Sequence, residues 1–264
     1  MFITSKKTEE ALRARLCVQT DAEDVPSLFV YEEIDSTNTE AKRMCANGFE
    51  GRAIIAAEHQ TAGRGRMGRS FYSPADTGAY FSILYTTQEL LCDAVRITSA
   101  ASVAVMRAIR TLTGKQTLIK WVNDLYLNEK KVAGILTEAV SHATSTHIIV
   151  GIGINLSTED FPPELSQIAG ALGSAELCAT DVIAEVWREL KPFLNDPSNR
   201  SWLEDYRTYS TVLGREITWI CEGREEYGIA TSIDCDGALL VRRHDGSEAR
   251  LSTGEISVRL KKQE

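Results

Sequence analysis

The chain has 264 residues, 43% of them hydrophobic and 25% charged, with 18 Gly and 6 Pro. This length suits one large domain with a small satellite, and the composition excludes disordered, collagenous and low-complexity classes. A net charge of -8 argues against a surface that grips nucleic acid or an acidic membrane throughout, but it allows a local basic site. The cysteines at 17, 45, 92, 178, 221 and 235 lack CxxC spacing and are too dilute for a disulfide scaffold. Without a signal peptide or an apolar run of about 20 residues, a cytoplasmic protein that does not enter the membrane is expected.

In chain order, a short polar helix is predicted over residues 8–16, then an acidic linker up to Pro26 and a strand over 28–31. Thr37-Asn38-Thr39-Glu40 has the capping-box pattern and predicts a helix to Asn47, stopped by Gly48. Strands are predicted over 52–58 and 79–86, flanking a loop rich in Gly and Arg. Val95, Ile97, Ala101, Val105, Ala108, Ile109 and Leu112 recur at helical spacing, predicting a helix over 94–112 with Asp93 as N-cap and Gly114 as stop. Residues 117–122 and 125–127 read as strand, 128–131 as a turn, 132–140 as the returning strand and 147–155 as another. Helices follow over 181–190 and 201–209, the second opened by a capping box from Ser201 to Glu204. After Gly214, short strands over 216–221, 227–233, 239–243 and 249–251 are separated by turns at Gly237 and Gly246. The pattern is α+β: a mixed or antiparallel sheet flanked by helices, followed by a small barrel-like β unit.

Gly63-Arg64-Gly65-Arg66-Met67-Gly68 matches GxGxxG by letter. A dinucleotide fingerprint needs a helix directly after the glycines and an acidic residue about 20 positions on; here Phe71-Tyr72-Ser73-Pro74 and a strand follow, so that reading is rejected. The segment instead joins a flexible backbone to Arg64, Arg66 and Arg69. Residues 59–75 contain no Asp or Glu and carry +3, and guanidinium groups suit carboxylate or phosphate. An anion site is expected, with a solvated loop as the alternative.

Lys120-Trp121-Val122-Asn123-Asp124 precedes a hairpin that carries Lys130, Lys131 and Gly134. The Asn-Asp pair either makes a turn or supplies Asp124 as a proton acceptor beside a lysine cation. Spacing leaves Lys120, Lys130 and Lys131 open for that cation. Gly151-Ile152-Gly153-Ile154-Asn155 reads as a tightly packed strand, or as a surface on which a flat ring lies with Asn155 bonding it. Ser36-Thr37-Asn38 caps a helix or offers N–H and hydroxyl groups to a polar ligand head. His59, His142, His147 and His244 have no metal-site spacing, and neither HExxH nor GxSxG occurs.

Taken in order, Ser36-Thr37-Asn38, the run from Gln60 to Arg69, Lys120 to Asp124, Lys131-Val132-Ala133-Gly134-Ile135-Leu136 and Gly151 to Asn155 resemble biotin protein ligase. The resemblance runs from about Tyr31 to Arg259, where Gly237-Ala238-Leu239-Leu240 and Gly254-Glu255-Ile256-Ser257-Val258-Arg259 are similar to that family's SH3-like domain. It implies an N-terminal extension over 1–30, a class II aminoacyl-tRNA synthetase-like catalytic domain over 31–212 and an SH3-like domain over 213–264. It implies activation of biotin by ATP to biotinyl-5'-AMP with release of pyrophosphate, then transfer to a lysine of a biotin carboxyl carrier protein. Mg2+ comes with ATP in this reading, and no motif fixes a metal.

By resemblance, biotin meets Ser36, Thr37, Asn38 and Gln60, the segment Gly63, Arg64, Gly65 and Arg66, and Lys131, Gly134, Gly151 and Gly153. ATP or the adenylate meets Arg66, Arg69, Lys120, Asn123, Lys131 and Asn155. The catalytic set is Arg66, Lys131 and Asp124, with Lys131 selected by its Lys-x-Ala-Gly-Ile-Leu match and Asp124 as base for the incoming amine. By the same resemblance the Arg loop is expected to fold over the ligand and to be disordered when empty. Val122 stands where the family usually has Pro, and Phe71 where Trp is common; both are expected to alter loop packing. Only 30 residues precede Tyr31, where bifunctional members carry a DNA-binding domain, so DNA is not an expected partner; a homodimer is a candidate state. The alternatives are a lipoate or octanoate ligase or transferase of the same fold, and a non-catalytic biotin-sensing dimer.

Overall fold

The computed structural model describes residues 4–19, 24–87, 94–141, 145–174, 176–221, 223–252 and 259–260. Asp93, His142 and residues 254–258 lie outside the described residues. Five helices are present among them, α1 (Lys6–Gln19), α2 (Thr37–Ala46), α3 (Ala94–Thr113), α4 (Ala179–Asn195) and α5 (Leu203–Thr208). Seven strands, β1 (Ser27–Ile34), β2 (Arg52–Gln60), β3 (Gly78–Thr87), β4 (Leu118–Lys120), β5 (Asp124–Leu127), β6 (Lys130–Ser141) and β7 (Thr146–Asn155), form one sheet in the order β1-β2-β3-β7-β6-β5-β4. The β1-β2 pair is parallel, with α2 as its crossover, and the remaining neighbours are antiparallel.

Strand alternation divides the sheet into two unlike faces. On β7, Ile148, Val150, Ile152 and Ile154 enter the main core with α1, α3, α4 and α5. Ile149 belongs to a smaller core under α2, built with Ile34, Ala41, Cys45, Ile55 and Leu84. Gly151, Gly153 and Asn155 continue the face of Ile149 past the smaller core, where Asn38 at the start of α2 lies over Gly151 and Phe71 over Gly153, and that stretch becomes the site.

Several elements differ from their sequence reading. The polar N-terminal helix buries Leu12 and Leu16 completely, because their i,i+4 spacing puts both on one stripe in the main core; part of the expected extension is therefore core. The predicted turn at 128–131 is shorter: Asn128 and Glu129 both have positive φ, as a two-residue hairpin turn requires, so Lys130 and Lys131 lie on β6. The strand over 117–122 stops at Lys120, and Trp121 to Asn123 form a turn with a cis Trp121–Val122 peptide. Neither capping box forms. The Thr37 hydroxyl bonds Gln60 instead, Glu40 turns to Arg43 and Tyr31, and α5 begins after Trp202 without a side-chain cap.

The second sheet contains β8 (Glu216–Cys221), β9 (Arg224–Ile233), β10 (Leu239–Arg243), β11 (Glu248–Leu251) and β12 (Arg259–Leu260) in the antiparallel order β11-β10-β9-β8-β12. This SH3-like unit is docked on the first. Ile217, Ile233 and Leu239 join the main core, Arg207 Nε donates to Ile233 O at 2.7 Å, and Trp121 Nε1 donates to Gly237 O at 2.9 Å. Trp121→Phe deprives the buried Gly237 carbonyl of this donor and is expected to lower stability by about 1–3 kcal/mol. An unchanged urea midpoint would show that the bond contributes nothing. Among the described residues, no helix is long and apolar enough to cross a membrane.

Candidate functional site

The site floor is the glycine-bearing face of β3, β7 and β6. Its cross-strand neighbours are Ser82 with Gly151, Tyr80 with Gly153, Leu136 with Gly151 and Gly134 with Gly153. A Cβ on Gly151 would lie 2.1 Å from Asn38 Oδ1, and one on Gly153 would lie 2.5 Å from the Phe71 ring. The flat groups seated on this glycine surface are thus the chain's own Asn38 amide and Phe71 ring, which explains the glycines without a ligand ring lying on them. Above the floor a cavity open to solvent is bordered by Ser36, Thr37, Asn38, Gln60, Arg64, Gly65, Arg66, Lys131, Gly134, Gly151 and Gly153. Gly63 borders neither this cavity nor its neighbour; a Cβ there would strike Phe71 O at 2.4 Å, so glycine there allows the close approach of the Phe71 backbone.

The polar wall comes from the start of α2. Ser36, Thr37 and Asn38 are buried, and the Thr37 amide donates to Gln60 Oε1 at 2.9 Å while Gln60 Nε2 donates to Ser73 Oγ at 2.9 Å. Asn38 Nδ2 donates to Glu138 Oε2 at 2.9 Å, and Glu138 Oε1 receives Lys42 Nζ at 2.7 Å and pairs with Arg64 Nη2 at 3.3 Å. Just before the wall, Asp35 accepts from the Ser36 amide at 2.7 Å and pairs with Arg43.

The Arg43 bond, opposed by burial and aided by the Ser36 amide, holds Asp35 below its ordinary value of 3.8. A carboxyl lowered in the folded state stabilises the protein above its ordinary value, and that contribution disappears as pH falls through the lowered one. The stability gap between wild type and Asp35→Asn is therefore expected to be full at pH 7 and to shrink in acid below 3.8. Urea midpoints across that range check this; a constant gap would refute it.

The Arg loop is a narrow hairpin closed by Phe71 N to Gly63 O at 2.9 Å and Gly65 N to Arg69 O at 2.7 Å. A single 3-10 turn at Arg66–Gly68 tops it, and β3 follows in place of the helix a dinucleotide fingerprint needs. Arg66 Nη1 donates to Asn123 Oδ1 at 2.7 Å. Burial lowers the Arg66 guanidinium from its ordinary value against the charge of Asp124.

A second, larger cavity adjoins the first and shares Gly65, Arg66, Phe71, Asn123 and Lys131 with it. It also meets Arg69, Lys120, Trp121, Asp124 and Asn155. The three candidate lysines now separate. Lys131 stands at the junction of the cavities with Nζ 2.7 Å from Asp124 Oδ1; Lys120 borders the second cavity, 5.9 Å over the Tyr126 ring; Lys130 is exposed and donates to Ser166 O at 3.1 Å. Asn155 is buried and donates from Nδ2 to Gly170 O at 2.9 Å, while its Oδ1 has no partner among the described residues. Val122 is buried, its carbonyl accepting from Tyr206 Oη at 3.0 Å. Phe71 packs edge-on against Tyr80 with ring centroids 6.4 Å apart, and it borders both cavities.

Sequence reasoning missed Ser73, Ser82, Lys42 and Glu138. Glu138 was within reach, because it lies two and four residues beyond Leu136 and Gly134 and so shares their face. Also missed was the segment containing Phe161, Leu165, Ile168 and Ala169, which walls the second cavity; it has no periodicity and is held by Lys131 N to Ile168 O and Gly170 N to Lys131 O, both 2.9 Å. Among the described residues no group of three or more His, Cys, Asp or Glu side chains is placed to hold a metal ion.

Residues 30–155 match the Biotin/lipoate A/B protein ligase family, and residues 212–259 match the Biotin protein ligase C terminal domain. The chain is 32% identical to the Bifunctional ligase/repressor BirA of Bacillus spizizenii, over 82% of this chain and 70% of that protein. It is also 32% identical to the Biotin--[acetyl-CoA-carboxylase] ligase of Paracoccus denitrificans, over 81% of this chain and 93% of that protein. A solved structure, biotin protein ligase from Aquifex aeolicus in complex with biotin and ATP, superposes with a TM-score of 0.77 at 27% identity, covering 89% of this chain and 99% of that one.

Proposed function

The chain belongs to the biotin protein ligases, and from that membership we propose that it joins biotin to a lysine of a biotin carboxyl carrier protein in two steps driven by ATP. The observation that carries this reading is the meeting of two cavities at Arg66 and Lys131. The smaller cavity takes biotin and the larger takes ATP. In the first step a biotin carboxylate oxygen attacks the α-phosphorus, the bond to the β-phosphate oxygen breaks, and pyrophosphate leaves biotinyl-5'-AMP. The obstacle is the approach of two anions, and Arg66 and Lys131, fixed where they meet, offset that repulsion without reorganising.

In the second step the carrier lysine attacks the acyl carbon and AMP departs. Asp124, across the Lys131 ion pair, takes the proton of the incoming amine. The Oδ1 of Asn155, without a partner among the described residues, gives the nucleotide side an acceptor, and Arg69 and Lys120 add cations. Mg2+ would accompany ATP on its phosphates, since no group of three or more His, Cys, Asp or Glu side chains among the described residues is placed to hold it. Residues 31–212 form the catalytic unit in this proposal, with α1 and the start of β1 packed into its core, and residues 213–264 form its SH3-like satellite.

Pyrophosphate exchange measured separately with biotin, lipoate and octanoate tests the assignment. Exchange with biotin is expected. Exchange with lipoate alone would overturn the reading, and biotin binding without exchange would favour a sensor.

A further inference from the structure

We propose that Glu138, which borders neither cavity, is a positioning residue that sets the site's preference for a ligand ring carrying N–H donors. It does so by fixing the Asn38 amide and tethering Arg64. The inference rests on the reading that the smaller cavity takes biotin, whose ring is a cyclic urea.

The geometry begins with what a carboxylate can do. Ionised, it accepts hydrogen bonds and donates none, so Glu138 admits only the NH2 end of Asn38. Nδ2 donates to Glu138 Oε2 at 2.9 Å and to Leu136 O at 3.3 Å, which uses both amide hydrogens. Oδ1 is turned the other way, where Ser82 Oγ donates to it at 2.6 Å. An amide oxygen has two lone pairs, so the capacity Asn38 keeps for a ligand is that of an acceptor. A urea N–H finds a partner there. A dithiolane or an alkyl chain offers none, and a site built for a hydrogen bond discriminates strongly against an analogue lacking it.

The carboxylate is itself held from two sides. Lys42 follows Asn38 by one turn of α2, so both project from one helix face, and Lys42 Nζ reaches Oε1 at 2.7 Å. Arg64 reaches the same oxygen at 3.3 Å from the loop that borders the cavity. One side chain on β6 thereby joins the floor, the polar wall and the Arg loop. Burial pushes the Glu138 carboxyl up, but the hydrogen bonds from Lys42 and Asn38 and the charges of Lys42 and Arg64 outweigh it and hold it below the ordinary value of 4.5. It is therefore ionised at neutral pH.

The test uses the full chain with Glu138→Ala and Glu138→Gln. Alanine frees Asn38 and Arg64, and KM for biotin in pyrophosphate exchange is expected to rise about tenfold or more, while kcat and KM for ATP change by less than about threefold. Glutamine still accepts from Asn38 but loses both ion pairs, so its KM falls between those of alanine and wild type. Binding of desthiobiotin, which keeps the urea and lacks the sulfur ring, is expected to weaken alongside that of biotin. A merely structural role would lower the urea midpoint without this split between KM and kcat. Normal wild-type exchange with unchanged biotin KM in both folded variants would overturn the inference alone. Absence of biotin-dependent exchange in wild type would overturn the functional reading and the inference with it.

Discussion

Replacing Lys131 with alanine is expected to slow biotin-dependent pyrophosphate exchange about a hundredfold or more, as expected when a donor aimed at developing charge is removed. Lys131 shares the junction of both cavities with Arg66 and stands 2.7 Å from Asp124. Its loss acts twice: the two substrate anions meet with less compensation, and the Asp124 carboxylate is left beside them unpaired. The effect therefore falls more on kcat than on biotin KM. Adding Asp124→Asn to Lys131→Ala should recover part of the exchange rate by removing the added repulsion, a coupling that a double-mutant cycle measures. In wild type the same Asp124→Asn change should slow carrier transfer while sparing exchange. If Lys131→Ala exchanges within about threefold of wild type, the cation at the junction contributes too little for the mechanism to stand.

Gly151→Ala is expected to destabilise the fold by about 3 kcal/mol, in the range of overpacking combined with unsatisfied buried groups, and to weaken biotin binding more than tenfold. The added methyl would sit 2.1 Å from Asn38 Oδ1, closer than any nonbonded contact permits. Asn38 is buried and bonded to Ser82, Leu136 and Glu138, so moving it breaks bonds at three places. Gly151→Ala with Asn38→Ala separates the causes: the double variant should be no less stable than Asn38→Ala alone, because the clash is gone and only the loss of the Asn38 bonds remains, yet still bind biotin poorly because the acceptor is gone. Urea unfolding and biotin titration read the two effects. A Gly151→Ala protein as stable as wild type would mean that the floor yields and that close packing does not require glycine there.

Much of this arrangement was legible in the residues. The alternation of Ile148, Val150, Ile152 and Ile154 with Ile149, Gly151, Gly153 and Asn155 announces a strand with one fully apolar face. The acid-free Arg loop announces an anion. What periodicity lacked was partner choice. It could not bring Asp124 to Lys131 and leave Lys130 with Ser166, because a one-residue change in where a strand begins turns each side chain to the opposite face. It took the first helix as polar, since two buried leucines in fourteen residues leave little amphipathic pattern. Nor did it reveal the wall around Phe161 and Ile168, a run of local turns without an apolar period that is pinned in place by the backbone of Lys131.

The order of strands in the sheet also affects how the protein is made. β3 lies between β2 and β7, and its pairing with β7 joins residues 78–87 to residues 146–155. During synthesis, a chain emerged only to β6 already contains the polar wall and the Arg loop, but it has no Gly151 or Gly153 to lay beneath them. Until β7 arrives, β3 presents an open edge beside the buried run from Ala79 to Leu84, the kind of surface that invites pairing with another nascent chain. Binding competence thus emerges in one long-range docking event rather than accumulating along the chain, and a non-local closure of this kind is slow relative to helix formation.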